Sequence, residues 1–120
     1  MNITLSESQT KKLIKKYYEE VEGIEVEVQF SKEEDLQYTS IHPTISKTIV
    51  FGGIKATAPE DISTMKMTEI INHFLPADYN LKRSLFITER DYDYYDNCVE
   101  RVNTLIELEP VAQKTRGRVL

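Results

Sequence analysis

The chain has 120 residues, of which 40% are hydrophobic and 29% charged, and this size and composition predict one globular domain with one core. Twenty acidic and fifteen basic residues give a net charge of −5 at pH 7, which argues against direct binding to a nucleic-acid backbone. No apolar run approaches the roughly 18 to 20 residues that span a bilayer. The first residues do not resemble a secretion signal, and Cys98 is the single cysteine, so a cytoplasmic protein without membrane contact is expected.

The first predicted helix covers residues 6–21. Ser6 is a suitable N-cap, and Gln9 three residues later completes a capping box. One apolar stripe at helical spacing follows, formed by Leu13, Ile14, Tyr17, Tyr18 and Val21. Gly23 tolerates a left-handed backbone and is expected to end the helix.

Residues 24–30 alternate between apolar and polar side chains and predict a strand. Its apolar face is formed by Ile24, Val26, Val28 and Phe30, and its polar face by Glu25, Glu27 and Gln29. A strand with one wet face is typical of an antiparallel sheet. One side of this strand is therefore expected in the core, and the other forms an acidic exposed surface.

The middle of the chain predicts a loop, a β segment, a turn and a second helix. Residues 33–43 are loop-like, although residues 38–41 are compatible with a short strand. Residues 45–58 have β character, with Gly52-Gly53 marking a bulge or a tight bend, and residues 59–61 predict a turn. Met67, Ile70, Ile71, Phe74 and Leu75 predict a helix that begins between residues 63 and 68 and stops before Pro76. Residues 81–88 predict a strand.

Two interpretations compete for the region after Thr88. Helical spacing relates Tyr92, Tyr95, Val99, Val102 and Ile106, whereas strand parity relates Cys98, Val102, Thr104, Ile106 and Leu108. We favour a helix to about residue 105 and keep the strand as the alternative. Residues 111–120 are polar and basic and are expected to form a mobile tail.

Together these elements predict a small single α+β domain over residues 1–110. The expected order is α-β-β-α-β-α, with an antiparallel sheet covered by helices on one face. Its predicted core consists of Leu13, Ile14, Tyr17, Val26, Val28, Phe30, Ile49, Phe51, Ile70, Ile71, Phe74, Val99 and Val102.

The chain offers few candidates for chemistry. The Asp91-x-Asp93-x-x-Asp96 spacing is only distantly similar to a calcium loop, since it lacks the turn glycine and the final glutamate. The histidines, His42 and His73, have no partners at zinc-ligand spacing, so no metal site and no cofactor are expected. His42 lies in a predicted loop and is the candidate general base of an alternative function, a small enzyme with a His42/carboxylate acid–base site.

Carboxylates dominate residues 19–35, where eight of them accompany Lys32 alone. We expect a binding surface of acidic residues, joined by a second cluster of aspartates with an exposed tyrosine: Glu25, Glu27, Glu33, Glu34, Asp35, Asp91, Asp93, Tyr94 and Asp96. Tyrosine is enriched at interfaces, and carboxylates engage arginine in charge-assisted pairs. The sequence therefore favours a non-enzymatic binding or regulatory module with a basic, nucleic-acid-handling protein partner.

The order of a Lys/Glu/Tyr-rich helix, an Ile-Glu-Val-Glu-Val strand and an Ile-rich helix, over residues 6–75, resembles small proteins of low-GC Gram-positive bacteria and their phages. The resemblance implies accessory or phage-encoded roles, including inhibition of a host defence nuclease, and it carries no site residues. A further alternative is a self-associating structural subunit, a homodimer formed if the strand over residues 24–30 lies at a sheet edge.

Overall fold

The computed structural model describes residues 1–34 and 39–111 of the chain. The elements are β1 (Asn2–Leu5), α1 (Glu7–Tyr17) with a π-helical turn (Tyr18–Glu22), β2 (Val26–Glu34), β3 (Thr39–Phe51), β4 (Ile54–Asp61), α2 (Thr64–Phe74), β5 (Tyr79–Tyr92) and β6 (Cys98–Pro110). Within the described residues, neither helix has the length and apolar character needed to cross a bilayer.

The strands form two antiparallel sheets of three strands each. The first sheet has the order β1-β6-β5, and the second has the order β2-β3-β4. The predicted α+β class and the antiparallel pairing are confirmed. The strands are divided over two sheets, whereas one sheet was expected.

Helix α1 begins as its sequence predicts. The Ser6 hydroxyl accepts a hydrogen bond from the backbone N–H of Gln9 (3.2 Å), and the Gln9 side chain accepts one from the backbone N–H of Ser6 (2.9 Å). Both halves of the capping box are therefore present. After the π-helical turn, Gly23 adopts a φ of 68°, a left-handed conformation that glycine adopts without strain.

The alternation along β2 has the predicted effect. Val26 and Val28 are buried in the core, whereas Glu25, Glu27 and Gln29 are exposed. The second predicted helix is also confirmed as α2, with the Ser63 hydroxyl accepting from the backbone N–H of Lys66 (3.1 Å).

The favoured helix at residues 88–105 is wrong, because this segment forms the end of β5, a turn and most of β6. The even-numbered side chains of β6 from Val102 to Leu108 are all buried, which is the period of a strand with one covered face. Tyr92 and Tyr95 matched the helical period by chance, because Tyr92 ends β5 and Tyr95 lies in the turn at residues 93–97 that precedes β6.

Two expected irregular segments are also strand. Much of the predicted loop at residues 33–43 belongs to the β2–β3 pair, and the predicted turn at residues 59–61 lies inside β4. Pro59 is tolerated there because β4 is an edge strand and needs no outward-facing donor. Gly52 and Gly53 form the tight bend between β3 and β4, with φ values of 58° and 81°.

One core lies between the helices and the two sheets. Its buried members are Ile14, Tyr17, Tyr18, Val26, Val28, Ile45, Ile62, Met67, Ile70, Ile71, Ile106 and Leu108. Burial of a side chain such as Ile14 or Ile70 stabilises the fold by about 1.5–3 kcal/mol. Three predicted core residues are wrong, because Ile49 is 48% exposed, Phe51 is 79% exposed, and Val99 lies on β6 outside the core.

A pair of buried hydroxyls joins α1 to the first sheet. Thr10 and Thr104 are both fully buried, and their hydroxyl oxygens lie 2.8 Å apart. The Thr10 hydroxyl donates its one hydrogen to the Ser6 carbonyl oxygen (2.9 Å), so the Thr104 hydroxyl is the donor to Thr10. The polar contact that fixes α1 on β6 therefore has a direction.

The direction of this pair predicts unequal effects for two similar substitutions. Thr10→Val leaves the buried Thr104 donor without Thr10 as its acceptor and should lower the free energy of unfolding by about 1–3 kcal/mol. Thr104→Val leaves Thr10 bonded to Ser6 and should cost less. Urea denaturation of both variants measures the difference, and a Thr104→Val variant less stable than Thr10→Val would contradict the assignment.

Candidate interaction site

The hairpin of β5 and β6 extends beyond the core as an arm, residues 89–100, which we call the tyrosine arm. Val102 at its base is buried, whereas the exposed fractions of Tyr92, Tyr94 and Tyr95 are 68%, 93% and 78%. The arm contains five carboxylates and one arginine. It is a two-stranded ribbon that presents aromatic rings and negative charge away from the body.

Asp93 holds the turn at the tip of the tyrosine arm. One of its carboxylate oxygens, Oδ1, accepts hydrogen bonds from the backbone N–H groups of Tyr95 and Asn97 (both 2.8 Å), and Oδ2 accepts one from the Asn97 side chain (3.2 Å). Asp96 completes the turn with a φ of 60°, which aspartate and asparagine tolerate better than most residues. The hydrogen bonds from the backbone N–H groups of Asn97 and Tyr95 hold the pKa of Asp93 below the ordinary carboxyl range.

Glu100 ties the base of the tyrosine arm to the second sheet. Its two carboxylate oxygens pair with Lys32 Nζ and Arg90 Nε, each at 3.2 Å. Hydrogen bonding from Lys32, and secondarily from Arg90, lowers the pKa of Glu100. The ring centroids of Phe30 and Phe86 also lie 5.5 Å apart, edge to face, so β2 packs on β5 just before the arm begins.

The tip is equipped to bind cationic groups. Asp91 accepts a backbone hydrogen bond from Tyr92 through one oxygen (2.8 Å), and Asp96 is exposed beside Tyr94 and Tyr95. The rings of Tyr94 and Tyr95 meet edge to face at 5.4 Å. Guanidinium and ammonium groups bind both carboxylates and ring faces. The described residues contain no group of three or more His, Cys, Asp or Glu side chains that could hold a metal ion.

The acidic surface predicted from the sequence does not form one patch. Glu27 lies near the start of β2 and pairs with Lys15 at 3.8 Å, and Glu25 lies just before that strand. The backbone of Glu33 and Glu34 lies at the other end of β2, about 20 Å from Glu27 at 3.3 Å per residue. Asp35 lies outside the described residues. Of the nine predicted binding residues, the structure brings together the four on the tyrosine arm, Asp91, Asp93, Tyr94 and Asp96.

His42 lies at a cleft between the second sheet, the start of α2 and β5. The cleft has a volume of about 470 Å³, and its lining includes His42, Asp61, Ser63 and Ser84. His42 Nε2 is 3.4 Å from Asp61 Oδ1, and Asp61 also accepts from the Thr44 hydroxyl (3.2 Å). The Asp61 side chain is 71% exposed, so solvent weakens its effect on His42.

Sequence reasoning missed a second exposed feature, the tip of the β3–β4 hairpin. Val50, Phe51 and Ile54 are 64%, 79% and 69% exposed there. Two glycines between two apolar β runs are a signature of a two-residue hairpin loop, so the signal was present in Gly52-Gly53.

The role of Asp93 predicts a specific effect of amide substitution. The Asp93→Asn substitution should make the tip less ordered, because a neutral amide oxygen is a weaker acceptor than a carboxylate for the two backbone N–H groups. Hydrogen exchange of the backbone N–H groups of Tyr95 and Asn97 should therefore become at least severalfold faster. In the wild type the same loosening should appear as the pH falls below about 3.9, the ordinary pKa of aspartate, because a group with a lowered pKa loses its contribution as it is protonated.

Asp96→Asn is the matched control, because it removes one charge from the same turn and leaves the hydrogen bonds of Asp93 in place. Asparagine also tolerates the positive φ at position 96. NMR-detected exchange compares the variants. Equal exchange rates in the two variants would contradict the assigned role of Asp93.

Comparisons of the chain with protein-family models, with curated proteins and with solved structures found no match.

Proposed function

We propose that the chain is a small non-enzymatic interaction module, accessory or inhibitory in role, which docks its tyrosine arm on a basic partner protein that handles nucleic acid. The observation that carries the proposal is the tip itself. Tyr92, Tyr94 and Tyr95 are exposed beside Asp91 and Asp96, on a turn that Asp93 already holds in shape. An ordered tip loses little conformational entropy when it binds.

The chemistry of the tip favours a nucleic-acid-binding groove as its target. Such grooves combine lysine and arginine side chains for phosphates with aromatic platforms for bases. On the narrow ribbon of the tyrosine arm, carboxylates can take the place of phosphates and tyrosine rings can take the place of bases. The net charge of −5 would also speed encounter with a basic partner at low salt.

Affinity purification from the native host tests the proposal with a double variant, Asp91→Lys/Tyr94→Ser. We expect at least a tenfold loss of affinity for the captured partner, because exposed tyrosines that become buried at an interface are frequent hot spots and a reversed charge repels a basic surface. Asp96 is left unchanged because its φ of 60° disfavours lysine.

Val21→Ser/Glu25→Lys is the matched control. It makes the same change in charge and removes one exposed apolar side chain in the π-helical turn that follows α1, where Val21 is 48% exposed. The control should retain the partner, and raised salt should weaken binding of the wild type. A partner that the Asp91→Lys/Tyr94→Ser variant retains, or that the control loses, refutes the proposed role of the arm.

The His42 cleft supports a second candidate, a small enzyme in which His42 and Asp61 act as an acid–base pair on a ligand in the cleft. The 3.4 Å approach of the two side chains favours it. His73 is the natural control, since it lies outside the cleft and pairs with Glu20 at 3.2 Å. An activity of the purified protein that His42→Ala leaves intact, or that His73→Ala abolishes equally, would exclude this role.

A further inference from the structure

The outer half of the β3–β4 hairpin, residues 48–57, forms a second arm, which we call the apolar arm. Pro43 and Ile45 of β3 are buried on the core side of the sheet. Strand alternation places Ile49 and Phe51 on this same side. The register places Ala56 opposite Ile49 and Ile54 opposite Phe51, so this side of the arm consists of apolar residues.

The apolar side continues after the core has ended. Lys47 marks the point along β3 where the core ends. Its ammonium group pairs with Glu60 (2.7 Å) and Glu22 (3.8 Å) and lies 5.5 Å from the centre of the buried Tyr18 ring. Its hydrogen bond to Glu60 raises its pKa. Beyond Lys47 the exposed fractions of Phe51 and Ile54 are 79% and 69%, so no described part of the chain covers them. An isolated two-stranded ribbon with such a surface gains stability from a partner.

The two arms have their bases at opposite ends of one helix. Helix α1 begins beside the tyrosine arm, where the Glu7 carboxylate accepts a hydrogen bond from the backbone N–H of Val102 (3.1 Å). Its π-helical continuation ends beside the apolar arm, where Glu22 meets Lys47. At 1.5 Å per residue, this helical segment separates the two bases by about 20 Å.

The arms also point away from each other. Strands β2 and β5 run in the same direction, as two contacts show. Phe30 of β2 contacts Phe86 of β5. Further along β2, Lys32 pairs with Glu100, which lies opposite Arg90, further along β5. Strand β3 is antiparallel to β2, so the apolar arm projects opposite to the tyrosine arm. The two tips of one molecule therefore cannot meet.

The two tips are complementary in chemistry. The apolar arm has Lys55 as its one charged residue, whereas the tyrosine arm has five carboxylates and three exposed rings. Phe51 and Ile54 can pack on tyrosine rings on one side of the ribbon, and Lys55, on the other side of the same tip, can reach a carboxylate such as Asp91. We propose that the apolar arm binds the tyrosine arm of a second copy of this chain, so that copies associate head to tail.

A head-to-tail contact leaves one free arm of each kind at the two ends of every assembly. Such heterologous contacts add further copies unless a ring closes. The contact involves two hairpin tips and belongs to the weak class of interfaces, below about 1,200 Å². This proposal does not rest on the proposed function, because it needs no molecule besides this chain.

Sedimentation of the purified protein with two variants tests the head-to-tail contact. Phe51→Ser/Ile54→Ser disables the apolar arm and Asp91→Lys/Tyr94→Ser disables the tyrosine arm, each at exposed positions, and circular dichroism checks that both remain folded. The wild type should show a mass that rises with concentration past the dimer. Each variant alone should be monomeric, whereas their equimolar mixture should form a one-to-one dimer, because each supplies the arm that the other lacks.

Three results would overturn the proposal. The first is a wild type that stays monomeric at about 1 mM, a concentration well above the Kd of most specific contacts. The second is a mixture of the two variants that stays monomeric, and the third is self-association that persists in either variant alone. Persistence in the Asp91→Lys/Tyr94→Ser variant would indicate contact between two apolar arms. Persistence in both would indicate pairing elsewhere, such as at the edge strand β2. Failure of self-association leaves the proposed function untouched, because partner capture depends on the tyrosine arm and not on the apolar arm.

Discussion

Helix α1 connects the two sheets, because its first turns contact β6 of the first sheet and its end contacts β3 of the second. The position of both arms depends on these contacts. At its start, the Ser6 capping box aligns the first turn, and Glu7 and Thr10 then bind Val102 and Thr104 of β6. At its far end Tyr18 is buried beneath Lys47 of β3. The polar contacts give the helix a fixed position along β6, because a shift by one residue would leave buried hydroxyls unpaired.

The body and the arms are stabilised in different ways. In the body, apolar burial around residues such as Ile14 and Ile70 provides the driving force. In the arms, backbone pairing and the chemistry of the turns are the main constraints: a carboxylate network in one, and two glycines with positive φ in the other. Local openings are expected to be more frequent in the arms than in the body. Recognition surfaces are commonly placed on such extensions from a stable scaffold.

Local signals in the sequence predicted helix α1 with its capping box, the buried and exposed faces of β2, and helix α2. Each of these depends on residues close together in the chain. Periodicity failed where two periods fit the same residues, as at Val102 and Ile106, and the turn-forming role of Asp93 was not apparent. The β character of residues 45–58 led to the prediction of Ile49 and Phe51 as core residues, but it could not show that the body ends at Lys47. Charge counting along the chain likewise could not show that Glu27 and Glu33 would lie at opposite ends of β2, about 20 Å apart.

The opposite placement of the arms is the claim on which the account of both surfaces rests, and a distance between labels on the two arms tests it most directly. Cys98 is exposed on the tyrosine arm, and Thr57→Cys introduces an exposed site on the apolar arm. Pulsed dipolar EPR on dilute doubly labelled protein should give one distance of about 35 Å, from roughly 20 Å of helix, four strand residues between Val102 and Cys98, and one between Lys47 and the Thr48–Thr57 pair. A distance below about 25 Å would place both arms on one side and contradict the account.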